Sequence, residues 1–438
     1  MSEDSEDFGC TFLTYKTKVD NYYVDRLIGE GGYGQIYDVY IDNSLLDPSA
    51  LDALINIRET QPVFSANQNI NPNHSGSLIA PKTTPINVYN THNRASLSTH
   101  HNSIGNNSLS HNSSNLTNSV RQTRHFAMKI EYLNNPKSGL KLETAILKDI
   151  QTCDYFPKYV KSGTTNKYRY LIMELLGPSL STLRKATDTK CFSRYSYLHL
   201  GLHMIRCIEE LHKLGYLHRD IKPGNFLVRP NRQKPLVLID FGLSRSYVKK
   251  GTGAHKQPRS EPGYTGTVRY ASLHAHDEEE LSRRDDLISW FYSMIEMATG
   301  QTPWPGSDNK TLVRRMKSSF TKEQLCKTFP PQFKTIYDLI FNLGYEDEPK
   351  YSQITNLIMQ AIKTCSFPSH QYEWETFSKD RMKLLSPIPL DMGETSDVEE
   401  RRRAEAALVE ERRQRERQRR MQEDEEDRED GCSPCIIC

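Results

Sequence analysis

Residues 216–242 read YLHRDIKPGNFLVRPNRQKPLVLIDFG, and the rest of the chain is best read outward from them. Two acid-bearing motifs lie here at a fixed separation. His218-Arg219-Asp220, followed by Lys222 and Asn225, offers a carboxylate able to accept a hydroxyl proton and an amide oxygen able to hold a metal ion. Asp240-Phe241-Gly242 follows an apolar run. Between the motifs, Phe226 to Val228 and Leu236 to Ile239 have the composition of short strands, which predicts both carboxylates at strand ends facing one cleft. Such an arrangement suits phosphoryl transfer.

Upstream, Ile28-Gly29-Glu30-Gly31-Gly32-Tyr33-Gly34-Gln35-Ile36 sits between strand-like runs and reads as a hairpin with a glycine-rich turn. Gly29, Gly31 and Gly34 would let backbone N–H groups approach phosphates, and Ile28 and Ile36 would cover a purine. A plain flexible turn has the same look, and only the downstream motifs favour the functional reading. The alternation in His125 to Glu131 places Ala127 and Lys129 on one strand face, where Lys129 can meet nucleotide phosphates. Glu143 lies in a helical stretch, Leu140 to Ile150, and can point back at Lys129; in isolation it would read as an exposed acid. The run Tyr168 to Leu176 reads as a buried strand leaving through Gly177-Pro178 for a second lobe, which makes it the natural hinge. A long helix from about Ser193 to Leu214, with Leu198, Leu202, Ile205 and Ile208 at helical spacing, then delivers the chain to the central stretch.

Beyond Gly242 comes a basic segment with Arg245, Lys249, Lys250, Lys256 and Arg259, ending in Gly263-Tyr264-Thr265-Gly266-Thr267-Val268-Arg269-Tyr270-Ala271-Ser272. The Ala-Pro-Glu usual in protein kinases after this loop is absent. GTVRYASLHAH, Ser282-Arg283-Arg284-Asp285-Asp286-Leu287, ELLGPSL, PGNF and the QTPWPG around Trp304 together resemble the casein kinase I superfamily, and most of all its tau-tubulin kinase branch. The resemblance covers Tyr22 to Tyr40 and about Phe126 to Phe377. It implies a two-lobed α+β kinase fold, with a small β-rich N-lobe and a larger helical C-lobe, that moves the γ-phosphoryl group of ATP to serine or threonine hydroxyls of protein substrates. By that resemblance Lys129, held by Glu143, steadies the α and β phosphates, and Asn225 and Asp240 hold magnesium (Mg2+). Asp220 orients the hydroxyl and takes its proton, while Lys222 neutralises the γ-phosphate and marks serine/threonine specificity. Glu174 to Leu176 would offer backbone to the adenine edge, with Met173 lining the back of that pocket. Arg269 matches an anion-binding arginine of the family, so acidic or pre-phosphorylated substrates are expected. Asp286, heading an apolar run, is expected to brace the catalytic loop from below. The rival reading is a catalytically silent pseudokinase scaffold, although every catalytic position is filled.

The expected domain plan is an N-terminal extension at 1–20 and a kinase domain at 21–385. Within it the N-lobe takes 21–46 and 125–174, the hinge 174–178 and the C-lobe 179–385. An Asn/Ser-rich insertion at 47–124 would lie between the second and third strands, where His74, His92, His100, His101 and His111 are too irregularly spaced for a metal site. As a loop extended by roughly four doublings of length, it would cost only about 2 to 3 kcal/mol of closure entropy. The net charge of +2 conceals strong local blocks, among them the arginines of 401–420 and the acids of 423–430 in a charged tail at 386–438. The tail reads as a solvated helix, with neither coiled-coil spacing nor a nucleic-acid partner expected. Nine cysteines with no paired spacing in the catalytic region suit reduced thiols, and the acidic start MSEDSED lacks the features of a signal peptide. A cytoplasmic monomer is expected. Its last residues, Gly431-Cys432-Ser433-Pro434-Cys435-Ile436-Ile437-Cys438, fit C-a-a-X prenylation at Cys435, which would add a membrane surface as partner. A metal-binding reading of the three cysteines and an unmodified tail stand beside it.

Overall fold

The computed structural model describes residues 12–31, 34–41, 124–135, 138–230, 234–249, 251–304 and 306–388. Strands β1 (Lys18–Val19), β2 (Tyr22–Gly31), β3 (Gly34–Ile41), β4 (Arg124–Tyr132), β5 (Tyr159–Thr164) and β6 (Tyr168–Glu174) form one antiparallel sheet in the order β1-β2-β3-β4-β6-β5. Alternation sets the faces. In β3, Gln35, Tyr37, Val39 and Ile41 are buried while Ile36 turns to the other side. Because residues opposite one another share a face, Gly29, Ile36, Lys129 and Leu171 form one row across β2, β3, β4 and β6. Ala127 and Met173 form the next pair along that face.

The two-residue strand β1 was not foreseen, so the inserted segment falls between the third and fourth strands of the sheet instead of the second and third. Its ends are neighbours, since Ile41 and Arg124 are register partners. Arg124, expected to close the insertion, is instead the first residue of β4. The rest of the insertion and residues 389–438 of the tail, Cys435 included, lie outside the described residues.

Helix α1 (Leu140–Asp149) starts at Gly139, which has no side chain to cap it. Glu131, fully buried at the end of β4, supplies the cap: its carboxylate accepts from the Gly139 and Leu140 N–H groups at 2.7 and 2.9 Å. β6 stops at Glu174, short of the expected Leu176. There the chain turns to other partners: the Gly177 N–H donates to Val228 O at 2.8 Å, and Ser179 bridges Leu227.

The second lobe is helical. It comprises α2 (Leu180–Ala186), α3 (Arg194–Lys213), α4 (Leu273–His276), α5 (Arg283–Thr299), α6 (Lys310–Ser319), α7 (Lys322–Leu325), α8 (Gln332–Phe341), α9 (Tyr351–Thr364) and α10 (Lys379–Leu385). The Ser193 side chain caps α3, and Leu198, Ile205 and Ile208 from its buried face meet Trp290, Phe291 and Met294 of α5 in the core. Two ribbons, β8 (Phe226–Val228) with β9 (Leu236–Leu238) and β7 (Tyr216–Leu217) with β10 (Arg245–Ser246), lie at the start of this lobe and frame the central stretch. The architecture is the two-lobed α+β fold that the sequence implied.

Among the described turn glycines Gly34 is the constrained one. It has φ +137°, and a Cβ there would lie 1.9 Å from Ile130 O, whereas a Cβ on Gly31 meets nothing within 4 Å. Gly34→Ala is therefore expected to destabilise the sheet by about 2 kcal/mol or more, while Gly31→Ala shifts stability by less than about 1 kcal/mol. Urea unfolding of the two variants compares them directly.

Candidate active site

Three elements converge on one ammonium. Lys129 of β4 is buried, and its Nζ lies 2.7 Å from Glu143 Oε2 of α1 and 2.8 Å from Asp240 Oδ1 beyond β9. Burial alone would lower the Lys129 pKa, but the charges of Glu143 and Asp240 outweigh it and raise the pKa above the ordinary lysine value. The same attraction overcomes burial at Asp240 and lowers its pKa.

Asp220 belongs to the loop between β7 and β8. Its Oδ2 accepts from Lys222 Nζ at 2.6 Å, and its Oδ1 accepts from Thr267 Oγ1 at 2.7 Å. Lys222 Nζ also reaches Thr267 Oγ1 at 3.1 Å. Asn225, in the 3-10 turn Pro223–Asn225, donates its Nδ2 to Asp220 O at 2.9 Å, which leaves Oδ1 as its acceptor for a cation. Ile239 N–H donates to Asn225 O at 3.0 Å, so the two acid-bearing motifs are tied backbone to backbone.

Both motifs hold non-glycine residues at positive φ, Arg219 at 67° and Asp240 at 70°. Their surroundings enforce this. Asp286, the second acid at the start of α5, accepts from the His218 N–H at 2.7 Å, the Arg219 N–H at 2.8 Å and His212 Nε2 at 2.9 Å. Burial opposes an ionised Asp286, but these donors outweigh it and hold its pKa below the ordinary carboxylate value. His218 Nε2 donates to Ile239 O at 3.0 Å, and Phe241 packs edge-on between His218 and Phe156. With the Phe241 ring buried, the Asp240 carboxylate is turned toward Lys129.

The glycine-turn residues occupy the face already described. Ile36 is paired with Gly29 and Lys129, Ile28 is exposed, and Gly31 and Gly34 end the hairpin. Ala127 and Met173 are partners within the sheet. Glu174 spends its side chain on Arg229, at 2.8 and 2.6 Å, and its N–H on Lys158 O at 2.9 Å; Leu176 is buried nearby.

Arg269 is engaged rather than open: its Nη1 donates to buried Glu296 Oε1 at 2.7 Å. Arg184 Nη2 at 3.3 Å and Tyr270 Oη at 2.6 Å share that carboxylate. Gly306 lets the guanidinium lie close, since a Cβ there would come within 1.9 Å of Arg269 Nη2. The expected basic fringe needs revision. Arg259 forks onto Glu280, which Arg245 also approaches at 3.8 Å, and Lys256 Nζ donates to Ser246 O at 2.9 Å. These groups fasten the loop to Glu280 and to its own backbone, Lys249 stays exposed, and Lys250 lies outside the described residues. Arg219 faces the same cluster: burial, with Arg245 and Arg259 nearby, pulls its pKa down to about 10.

Sequence reasoning missed Thr267, Glu296, Arg184 and Glu131. The first three act through pairings remote in sequence that no spacing rule encodes. For Glu131, an acid inside an otherwise apolar strand was an available signal. Asn225 and Asp240 form an all-oxygen donor pair of the kind magnesium takes, completing its shell with phosphate and water oxygens, so these residues fit that ion.

The protein kinase domain family model matches residues 102–382 of the chain. The match begins inside the insertion, and the glycine-rich hairpin lies ahead of it, although the structure puts that hairpin in the same sheet as β4. A probable serine/threonine-protein kinase of Dictyostelium discoideum is 39% identical over 259 residues, 58% of this chain and 52% of that protein. The chain thus spans about half the length of that relative. The serine/threonine-protein kinase spe-6 of Caenorhabditis elegans is 34% identical over 280 residues, 62% of this chain and 73% of that protein.

Asp286→Ala would strand the buried His218 N–H, the half-buried Arg219 N–H and His212. A loss of about 3 to 5 kcal/mol is expected in denaturant unfolding, and an outcome below about 1 kcal/mol would contradict the bracing role.

Proposed function

The chain belongs to the protein kinase family, and we propose that it transfers the γ-phosphoryl group of ATP to serine or threonine hydroxyls of proteins. The observation that carries this reading is the meeting of Lys129, Glu143 and Asp240 beside a loop in which the Asp220 carboxylate is held by Lys222 and Thr267. Lys129, fixed by Glu143, would pair with the α and β phosphates. Asn225 Oδ1 and the Asp240 carboxylate would hold magnesium, which when bound offsets phosphate charge. The Asp220 carboxylate orients the acceptor hydroxyl and takes its proton, and Lys222, already beside Asp220, offers positive charge to the transferring group. Lys222 also supports a serine/threonine acceptor, as do the names of both relatives. A silent scaffold would have no need of this full set of charged groups.

Within the family we place the chain nearest the casein kinase I superfamily and its tau-tubulin kinase branch, on the GTVRYASLHAH, ELLGPSL and PGNF motifs. The substrate preference follows from charge. Two guanidiniums, Arg184 and Arg269, share the single carboxylate of Glu296, and Arg219, Arg245 and Arg259 gather near the single carboxylate of Glu280. Each cluster keeps surplus positive charge on the acceptor side, which favours acidic or phosphorylated residues near the acceptor. A randomised peptide library tests the whole reading. The wild type should select acidic flanks around serine or threonine, and Asp220→Ala should retain the fold with activity reduced by about a thousandfold or more. Selection of basic flanks would remove the substrate proposal, and near-normal transfer by Asp220→Ala would remove Asp220 as base.

For the tail we propose prenylation of Cys435, supported by its C-a-a-X pattern alone. One isoprenoid gives only marginal membrane binding, so a second signal, from Cys432 or the arginines of 401–420, would be required for attachment from the cytoplasmic side. Among the described residues no helix is long and apolar enough to cross a membrane. Intact-mass analysis of protein from its own cells should find Ile436 to Cys438 removed and a lipid added; an unmodified mass would refute the proposal.

A further inference from the structure

Lys317, on α6, is the buried cation that the catalytic reading leaves without a role. It is 3% exposed, and among the described residues no carboxylate is paired with it. Its ammonium instead meets three acceptors: Val268 O at 2.7 Å, Ala271 O at 2.6 Å and His276 Nε2 at 3.2 Å. The rings of Tyr292 and Trp304 lie 5.1 Å from Nζ and supply the remaining attraction.

Both carbonyls belong to one turn, Thr267–Ala271, closed by Tyr270 N–H and Ala271 N–H donating to Thr267 O at 2.9 and 3.0 Å. That turn does two jobs at the acceptor side. Its first residue, Thr267, touches Asp220, and its third, Arg269, stands on Glu296. Trp304 ties in as well, its indole N–H donating to Arg269 O at 2.8 Å. One ammonium therefore anchors the backbone from which both acceptor-side contacts project.

We propose that Lys317 is a positioning residue for the protein acceptor: its ammonium fixes the Thr267–Ala271 turn, and acceptor recognition weakens when that ammonium loses its proton. The proposal rests on the kinase reading and deepens it. Counting hydrogens gives the mechanism. An ammonium has three N–H groups for three acceptors, while a neutral amine has two, so deprotonation leaves one buried acceptor unmatched or obliges His276 to become the donor.

Burial without a paired carboxylate pulls the Lys317 pKa down to about 7. His276 is held neutral and able to accept, because burial and the Lys317 charge lower its pKa to about 4. The other titratable or charged groups on the surrounding elements include Tyr292 of α5, Tyr264 against His276 with Lys310 over its ring, Asp277 paired with Arg314, His274 of α4 with Asp285 of α5, and Arg269 and Tyr270 with Glu296. The sign follows from a base with a depressed pKa: the anchored turn is present below about pH 7 and weakens as pH rises through that value.

The experiment uses the full chain and an acceptor peptide with acidic flanks and no group titrating from about pH 6 to about pH 8.5. Lys317→Met, of similar length without donors, should raise the peptide KM about tenfold and leave the ATP KM within about twofold. The wild-type to Lys317→Met ratio of peptide kcat/KM should be largest at the acid end and shrink toward the alkaline end. Lys317→Arg, which stays charged throughout, should restore part of the peptide affinity and flatten the profile. An unchanged peptide KM in Lys317→Met, or parallel pH profiles for it and the wild type, overturns the proposal. Should Lys317→Met fail to fold, a wild-type profile that is flat over the same range overturns it equally. A wild type without any transfer defeats the kinase reading and this one with it; a transferring wild type matched by Lys317→Met defeats this one alone.

Discussion

The structure depends on one buried cation held by carboxylates from two other elements. Lys129 sits on a strand, Glu143 on the helix behind it and Asp240 on a loop of the second lobe, and no two of them are neighbours in sequence. An isolated ammonium in this position would be strongly disfavoured, and so would either carboxylate alone. The three are tolerable only together, so the contact makes the position of α1 and that of the Asp240 loop mutually dependent. Glu131, by capping α1 from the end of β4, fixes the same helix at its first turn. Strand β4 therefore sets both where α1 begins and where its glutamate points.

The second lobe answers with a brace of its own. Two residues at positive φ cost about 1 to 3 kcal/mol each, and such strain persists only where neighbours over-determine the conformation. Arg219 is held by its N–H on Asp286 and its Nε on Leu243 O at 2.6 Å. Asp240 follows Ile239, whose N–H and carbonyl are both engaged, by Asn225 O and His218 Nε2. Two of the six described non-glycine residues at positive φ thus fall at the two motifs that carry acids, where helix α5 and the β8–β9 ribbon beneath them offset the strain.

Much of this was legible because the chemistry is concentrated in short motifs. The limits of α3 were readable to within a residue, since Ser193 caps it and the apolar spacing continues to its end. The pairing of Lys129 with Glu143 was readable from a strand lysine followed by a helix glutamate. Less legible were elements too short to show periodicity, such as β1, β7, β10 and α4, and the exact exit from β6, where the pairing of Gly177 with Val228 decides. The pairings within the basic loop were not legible for a physical reason: composition counts cations but not the carboxylate that one of them meets, and Glu280 lies some twenty residues from Arg259. Lys317 was invisible for the opposite reason. On a helix carrying Lys310, Arg314 and Arg315 it looks like one more solvated base, and only the fold shows it turned inward.

The two carboxylates on Lys129 are not equivalent, and the difference bears on how the site works. The Glu143 side chain is 3% exposed and the Asp240 side chain 26%. Glu143, sealed in the lobe between Lys129 and the Phe241 backbone, is the counterion less able to change partner. Asp240 is the more exposed of the two and is held ionised by the lysine, so under the proposed function it would be the carboxylate free to hold a divalent cation, with Lys129 then free to pair with phosphate. The salt bridge between Lys129 and Asp240 keeps both groups charged and oriented, as a cleft that is to receive phosphate and a divalent cation under the proposed function would require.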